Sequence, residues 1–250
     1  MSTPEDSQQR PEHGPAGEGV PFNPPSPEEA LARLDTPMAA AMRTQRAVRR
    51  LHTDPVDHEI LMPLLELSLK APTSSNTQDW TYLVVEDREQ KARLARLYRK
   101  LYRVFNPITE RLARGDDKQL RQMRPGQWQA ENFEDLPVFV IPCYRRNIKH
   151  RPVGRPQISV ASYYGSVFPA VQNLLLGCRA VGLGASLQTL PIWQIPAARR
   201  ILGLPRSVNP VCIIPIGWAK GRYGPTTRPP IGEVVHFDRY GNRPYWGTEA

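Results

Sequence analysis

Apolar positions change their spacing several times along the chain, and each change marks an element. Before residue 37 hardly any large apolar side chain occurs. Residues 39–50 then read as a short helix leading into Arg46-Ala47-Val48-Arg49. Asp57 is placed to cap a helix over 58–70, whose Ile60, Leu61, Leu64, Leu65 and Leu67 form one stripe. The loop Ala71-Pro72-Thr73-Ser74-Ser75-Asn76 stops it. Residues 80–86 (WTYLVVE) have the aromatic and β-branched content of a strand. Asp87 then caps a helix with Leu94, Leu97, Leu101, Tyr102 and Phe105 on one face.

Residues 106–135 are polar with isolated aromatics, match no motif, and read as a variable excursion able to cover a site. Residues 137–144 (PVFVIPCY) predict a buried strand, followed by a basic loop over 145–155. The stretch 156–178 carries no formal charge and is long enough to span a bilayer. Gln157, Ser159, Ser162, Ser166, Gln172 and Asn173 would each need a partner in lipid, so a buried helix over 159–181 of a soluble protein is expected instead. Its Ala170, Asn173/Leu174, Gly177/Cys178 and Val181 recur at helical spacing, and this small-residue face suggests packing against a partner helix. Gly182-Leu183-Gly184 ends the helix. A short strand (185–189), a short helix (195–202) and a strand (211–217, VCIIPIG) follow.

Composition adds an address for the prolines. There are 27 in 250 residues, about twice the usual share, and seven fall in the first 36 with seven acids and two bases. Residues 1–36 are therefore expected to be a disordered acidic tail and 37–250 the folded domain. Removing the tail's −5 from the chain's +9 leaves +14 on the folded part. That charge admits nucleic acid, an acidic membrane surface or an anionic small molecule. The start has neither a basic n-region nor an apolar h-region, which points to a cytoplasmic protein. Cys143, Cys178 and Cys212 each lie in an apolar run, predicting buried thiols rather than a disulfide or zinc framework. The histidines have no ligand-like spacing, so no metal is expected.

Arg46, Arg49 and Arg228 are guanidiniums far apart in sequence, beside small or hydroxylated residues that leave room for an anion. Four segments in fixed order give this weak signal a frame. Gln45-Arg46-Ala47-Val48-Arg49-Arg50-Leu51 resembles the Arg-Arg-Ser-Val-Arg-x-Phe opening of the FMN-dependent nitroreductase superfamily. Ala71-Pro72-Thr73-Ser74-Ser75-Asn76-Thr77-Gln78-Asp79-Trp80 is similar to its Ala-Pro-Ser-x-x-Asn-x-Gln-Pro-Trp. Gln172-Asn173-Leu174-Leu175-Leu176, with the glycine turn after the helix, resembles the central helix. Ile216-Gly217-Trp218 and Arg228-Pro229-Pro230-Ile231-Gly232-Glu233-Val234-Val235 resemble the closing motif. The likeness covers about residues 38–241.

The resemblance implies an α+β, nitroreductase-like three-layer sandwich: a mixed, mainly antiparallel sheet flanked by helices, in an obligate homodimer. A C-terminal arm, about 229–246, would wrap the partner. It implies FMN as cofactor, NAD(P)H as hydride donor and a small-molecule electron acceptor, with no nucleic-acid or membrane partner. By family position Arg46 and Arg228 would hold the phosphate, where a planar fork suits paired charge-assisted bonds. Arg49 would sit at flavin N1–O2 and stabilise the reduced ring; no dedicated catalytic acid or base is implied. Gln45, Ala47 and Val48 complete the opening segment. Thr73, Asn76 and Gln78 would meet the ring edge or ribityl chain, and Leu187, Gln188 and Thr189 the region over N5. Ser75, Trp128 and Phe133 are candidates for the substrate face.

Departures from the pattern are Gln45 for the first Arg, Ala47 for Ser, Asp79 for Pro, and Thr226 where a basic residue often stands. They throw phosphate binding more heavily onto Arg46 and Arg228. The leading expectation is a ping-pong reductase of nitroaromatics, quinones or similar acceptors. The same fold also serves reductive dehalogenation, flavin destruction and tailoring dehydrogenation, and these stay open. A basic nucleic-acid-binding protein is the remaining alternative, although the basic loop has only Tyr144 as aromatic neighbour.

Overall fold

The structure, a computed structural model, describes residues 22–145 and 156–243. The tail before Phe22, most of the basic loop and the end of the arm fall outside the described residues.

One strand organises the rest. β2 (Val138–Arg145) is apolar at nearly every position because both of its faces are covered. Val138 and Val140 point into one core, with α3 (His58–Ser68) and α6 (Pro156–Val181). Phe139, Ile141 and Cys143 point into another, with α4 (Arg88–Leu112), α5 (Asp117–Glu131) and α7 (Ile195–Leu202). This period-two division makes the three layers. β1 (Trp80–Val85) pairs with one edge of β2. β5 (Ile214–Trp218) and β4 (Val208–Pro210) share the other, and β3 (Leu183–Ala185) pairs β5. The order is β1-β2-β5-β3, and every described pairing is antiparallel. Pro142 is tolerated inside β2 because its missing donor faces the place where the partner changes from β5 to β4; its carbonyl accepts from Val211 N there at 2.9 Å.

Several expectations are corrected. The tail is shorter than 36 residues: Ser26 opens a capping box for α1 (Pro27–Leu31), Ala30 is fully buried, and Leu34 packs on the same core. Phe22 stacks on His52 at 4.0 Å. The helix expected over 39–50 is α2 (Met38–Thr44), which stops because Val48 N instead donates to Ala185 O at 2.9 Å. The excursion 106–135 is mostly helix, shared by the end of α4 and α5. The small-residue face of α6 packs inside the protomer: Ala170 O accepts from Ser68 Oγ at 2.7 Å, and a Cβ on Gly177 would lie 3.0 Å from Leu64 Cδ2. It is therefore not free for a partner helix. No helix among the described residues is long and apolar enough to cross a membrane. The three cysteines are buried, and desolvation pushes each thiol up to about 12, so none is a thiolate at neutral pH.

Beyond α7 the chain returns through β5 and ends in α8 (Ile231–Val234), whose Ile231 and Val234 are both 60% exposed.

Two stability outcomes follow. A chain starting at residue 36 loses Ala30 and Leu34 from the core and should be destabilised by about 2–3 kcal/mol, near the worth of one large buried side chain; a denaturant midpoint equal to that of the full chain would contradict the packing of α1. In Gly184→Ala the new methyl would lie 2.5 Å from Leu51 Cδ2 and 2.8 Å from Val48 Cγ1. Overpacking of this kind should cost about 1–3 kcal/mol, read as a lower urea midpoint with unchanged slope.

Candidate active site

The opening arginine segment is extended and pinned by alternate side chains. Val48 and Leu51 press on β3 and β5 where Gly184 pairs with Gly217, a pair whose missing side chains leave room for them. Leu51 also bridges to Ala219, His52 N donates to Trp218 O at 2.8 Å, and Lys220 N donates to Arg50 O at 3.0 Å. With Val48 and Leu51 turned inward, Arg46 and Ala47 are left exposed and Arg49 half-buried. Gln45 closes α2, its N–H on Ala41 O at 2.8 Å.

The structure brings the opening and closing motifs together. Arg46 Nη2 donates to Pro225 O at 2.9 Å, and Thr226 donates to Arg43 O through both N (3.0 Å) and Oγ1 (3.2 Å). Thr226, which departs from the basic residue of the family pattern, thus ties the two segments. Arg228 donates only to its neighbour's carbonyl, Thr227 O, at 2.8 Å. Among the described residues none of Arg46, Arg49 and Arg228 is paired with a carboxylate.

The loop 73–78 is a separate half. Ser75, Asn76 and Gln78 all have φ near +50°, a left-handed conformation costly for residues with a Cβ and typical of functional loops. Gln78 N donates to Thr73 Oγ1 at 3.2 Å, Gln78 Nε2 to Asn76 Oδ1 at 3.0 Å, and Ser74 N to Ser166 Oγ of α6 at 3.0 Å. This loop enters β1 at Trp80, opposite Tyr144, whereas Val48 lies beside Ala185, which is level with Ile216 and Val138. The two levels are six residues apart along β2, about 20 Å, and β1 and β3 are three strand spacings apart, about 14 Å. One protomer therefore does not bring Thr73, Ser75, Asn76 and Gln78 to the three arginines.

Between these halves runs the strand extension 187–189. Gln188 pairs with Ile213 through two 2.8 Å backbone bonds, continuing the β3–β5 register. Its side chain is buried: Nε2 donates to Gln129 Oε1 at 2.7 Å and approaches Ser186 Oγ at 3.3 Å, while Gln129 Nε2 donates to Ser186 Oγ at 2.9 Å. Gln188 is thus a structural tie to α5, and its backbone is what it has to offer a ligand. Leu187 packs on the core of α3 and α6. Thr189 is exposed on the rim of a cavity of about 370 Å3 with Tyr164, Phe168 and Trp193.

The two aromatic substrate candidates are not borne out. Phe133 is fully buried, 4.9 Å from Tyr98 and 4.5 Å from Phe139 in ring-to-ring distance, and is a core residue. Trp128 sits under Lys220 (5.5 Å) in a different cavity, beside Lys91 and Leu136 at the starting end of β2. Sequence reasoning missed Gln129, Ser186 and Tyr98. Helical spacing from Leu94 and Tyr102 could have found Tyr98; nothing in the sequence marks the Gln129 contact, which joins residues 57 apart.

Comparison with known proteins agrees with this arrangement. The Nitroreductase family model matches residues 42–218. Iodotyrosine deiodinase from Nematostella vectensis is 22% identical over 216 residues, covering 83% of this chain and 77% of its own length. The 4-nitrobenzoate reductase of Nocardioides sp. (strain LMS-CY) is 26% identical over 229 residues, 79% of this chain and 88% of its own. Among solved structures, oxidised iodotyrosine deiodinase bound to FMN and 3-iodo-L-tyrosine has a TM-score of 0.63 at 18% identity, covering 81% of this chain and 100% of that one. A Desulfovibrio desulfuricans protein described as a nitroreductase in complex with FMN has a TM-score of 0.60 at 21% identity, covering 82% and 99%. The family match runs from just before the arginine segment to the last residue of β5 and so contains the whole sheet and the pinned segment: the chain belongs to the nitroreductase family.

Proposed function

We propose that this protein is an FMN-dependent oxidoreductase that takes hydride from NAD(P)H and passes it to a nitroaromatic, quinone or similar acceptor. The observation that carries the reading is the cross-tied pair of segments holding Arg46 and Arg228 without carboxylate partners among the described residues. Each guanidinium spends one bond on a backbone carbonyl and keeps its remaining donors, a set that fits a dianionic phosphate. Arg49, half-buried and without an ion pair, is the group suited to charge that develops at N1–O2 on reduction. FMN, when bound, supplies the hydride chemistry, and the chain supplies placement and field.

The reading requires a second copy of the chain. Loop 73–78 lies too far from Arg46 within one protomer to share a ligand with it, so a homodimer would join the loop of one copy to the arginines of the other. Exposed apolar side chains support this: Tyr164 and Phe168 on α6, Met38 and Met42 on α2, and Ile231 and Val234 on the arm are all more than a third exposed. A dehalogenating use of the same site is the second reading, favoured by the deiodinase likeness over 83% of the chain. Iodide release from 3-iodo-L-tyrosine by the reduced protein separates the two.

The purified protein should be yellow with FMN rather than FAD. Arg228→Ala should weaken FMN binding roughly 10- to 150-fold, the worth of a hydrogen bond to a charged group. Arg49→Ala should instead lower the flavin potential and slow anaerobic reduction by NADPH more than it weakens FMN binding, because its charge partner appears only on reduction. Equal affinity losses with unchanged reduction rates would remove the separation of roles. Double-reciprocal plots against donor and acceptor should be parallel. The dimer is tested by mixing two inactive variants, one altered at Arg46 and one in loop 73–78. A mixed dimer regains one intact site and up to half the wild-type activity, whereas a site built within one protomer regains none.

A further inference from the structure

Two phenols on α4 end in groups that the rest of the chain leaves unused. Tyr98 and Tyr102 are one helical turn apart, their rings edge-on at 5.9 Å. The Tyr98 ring is 3% exposed and packs on Phe133, and burial pushes its hydroxyl up to about 12. Burial also raises the Tyr102 hydroxyl, helped by the Glu110 and Glu131 carboxylates, while Arg49 pulls it down. Both are therefore protonated donors at neutral pH. Neither makes a hydrogen bond among the described residues. The buried side-chain atom left without a partner there is Asn209 Nδ2, so the Tyr98 hydroxyl is the part of its ring that solvent reaches. A tyrosine hydroxyl this close to a core normally finds a partner in the protein. Here two of them, with the field of Arg49 on both, face one opening.

The walls of the opening are shaped to keep it clear. Gly126 of α5 lies against Tyr102, and a Cβ there would stand 3.8 Å from the hydroxyl, so any larger side chain would cover it. Glycine inside a helix costs about 1 kcal/mol relative to alanine, which marks the position as one where space matters. One turn beyond Tyr102, Phe105 approaches Trp193 at 5.7 Å, and both rings are exposed. Trp193 shares the cavity rim with Thr189, next to the strand extension assigned to the ring. The opening thus has flat apolar walls and hydroxyl donors at one end.

We propose that this opening between α4, α5 and the arginine segment receives the electron acceptor, and that the Tyr102 hydroxyl selects a planar aromatic whose ring carries an oxygen acceptor, a nitro group or a quinone carbonyl. The inference rests on the flavin reading, since Arg49 marks where the ring edge lies. It makes Tyr102 a specificity-determining residue at a position that supports no fold contact through its hydroxyl.

The test uses the oxidised, FMN-loaded protein titrated with nitrobenzene without any reductant, following the flavin absorbance. Tyr102→Phe should raise the nitrobenzene Kd about 3- to 10-fold, the worth of one neutral hydrogen bond. Flavin content and Tm should not change, because the hydroxyl has no partner in the fold to lose. Gly126→Val keeps the phenol but covers it and should raise the Kd as well. A Tyr102→Phe protein that retains flavin and binds nitrobenzene within twofold of the unmodified protein overturns the acceptor assignment and leaves the flavin reading standing. A fall in Tm on loss of the hydroxyl also overturns it, showing a structural role instead. Unmodified protein that neither carries nor takes up FMN overturns the flavin reading itself.

Discussion

Val48 and Leu51 resting on the paired glycines of β3 and β5 are the contact on which the site depends. The segment from Gln45 to Arg50 belongs to no helix or strand and is held by isolated backbone bonds. Fixing an extended residue costs on the order of 1–2 kcal/mol of backbone entropy, so four or five ordered residues need an anchor of comparable size. Two buried aliphatic side chains at about 1.5–3 kcal/mol each are such an anchor. They fit only because Gly184 and Gly217 lack side chains at the same level of the sheet. Apolar packing thereby holds three cationic groups that gain nothing from one another. Their mutual repulsion is a standing cost until an anion arrives, which is how a binding site differs from a network of surface ion pairs.

The sheet also acts as a ruler. Because β2 is the shared partner of β1, β4 and β5, its length sets the separation between the loop 73–78 at one end and the arginine segment at the other. The strand extension 187–189 bridges that interval, and the buried amides of Gln129 and Gln188 with Ser186 fasten it to α5. Buried polar groups cost several kcal/mol when unpaired and little when every donor is met. This trio makes four mutual contacts, so it binds the covering helix to the segment beneath it rather than opening a gap.

The sequence was legible where burial leaves a period and illegible where it does not. β2 was readable because both faces are covered, and α6 because a long uncharged run has few other soluble homes. The overlong helix at 39–50 arose from local propensity: Ala39, Ala40, Ala41 and Met42 favour helix, and the pairing of Val48 with Ala185, 137 positions away, overrides it. Residues 106–135 looked like loop because Pro107 and Pro125 read as breakers and because α4 and α5 bury narrow stripes, leaving Val104, Ile108 and Leu112 exposed. For α6, small residues announced close packing but not its partner, which is Leu64 of the same chain. Phe133 and Trp128 show the matching limit for the site: an isolated aromatic in a polar stretch can face a ligand or a core, and only the fold decides. The arginines were legible because their motifs carry the family pattern, whereas their distance from loop 73–78 is a property of sheet register that no motif contains.

A division of labour follows between positions that cannot change and positions that can. A methyl at Gly184 would meet Leu51 and Val48 at once and disturb the anchor of the arginines. The Tyr102 hydroxyl, by contrast, touches nothing that the core needs, and the half-exposed rings of α4 and the nearby surface of α5 lie outside the packing that sets the sheet. The free-energy cost of altering the cofactor cradle is therefore paid in folding, while the cost of altering the opening is confined to what enters it. A fold arranged in this way keeps one electron carrier in place and leaves its partner molecule to be chosen by a few side chains on two helices. This accounts, in physical terms, for a single family model spanning proteins named for a deiodination and for a nitro reduction.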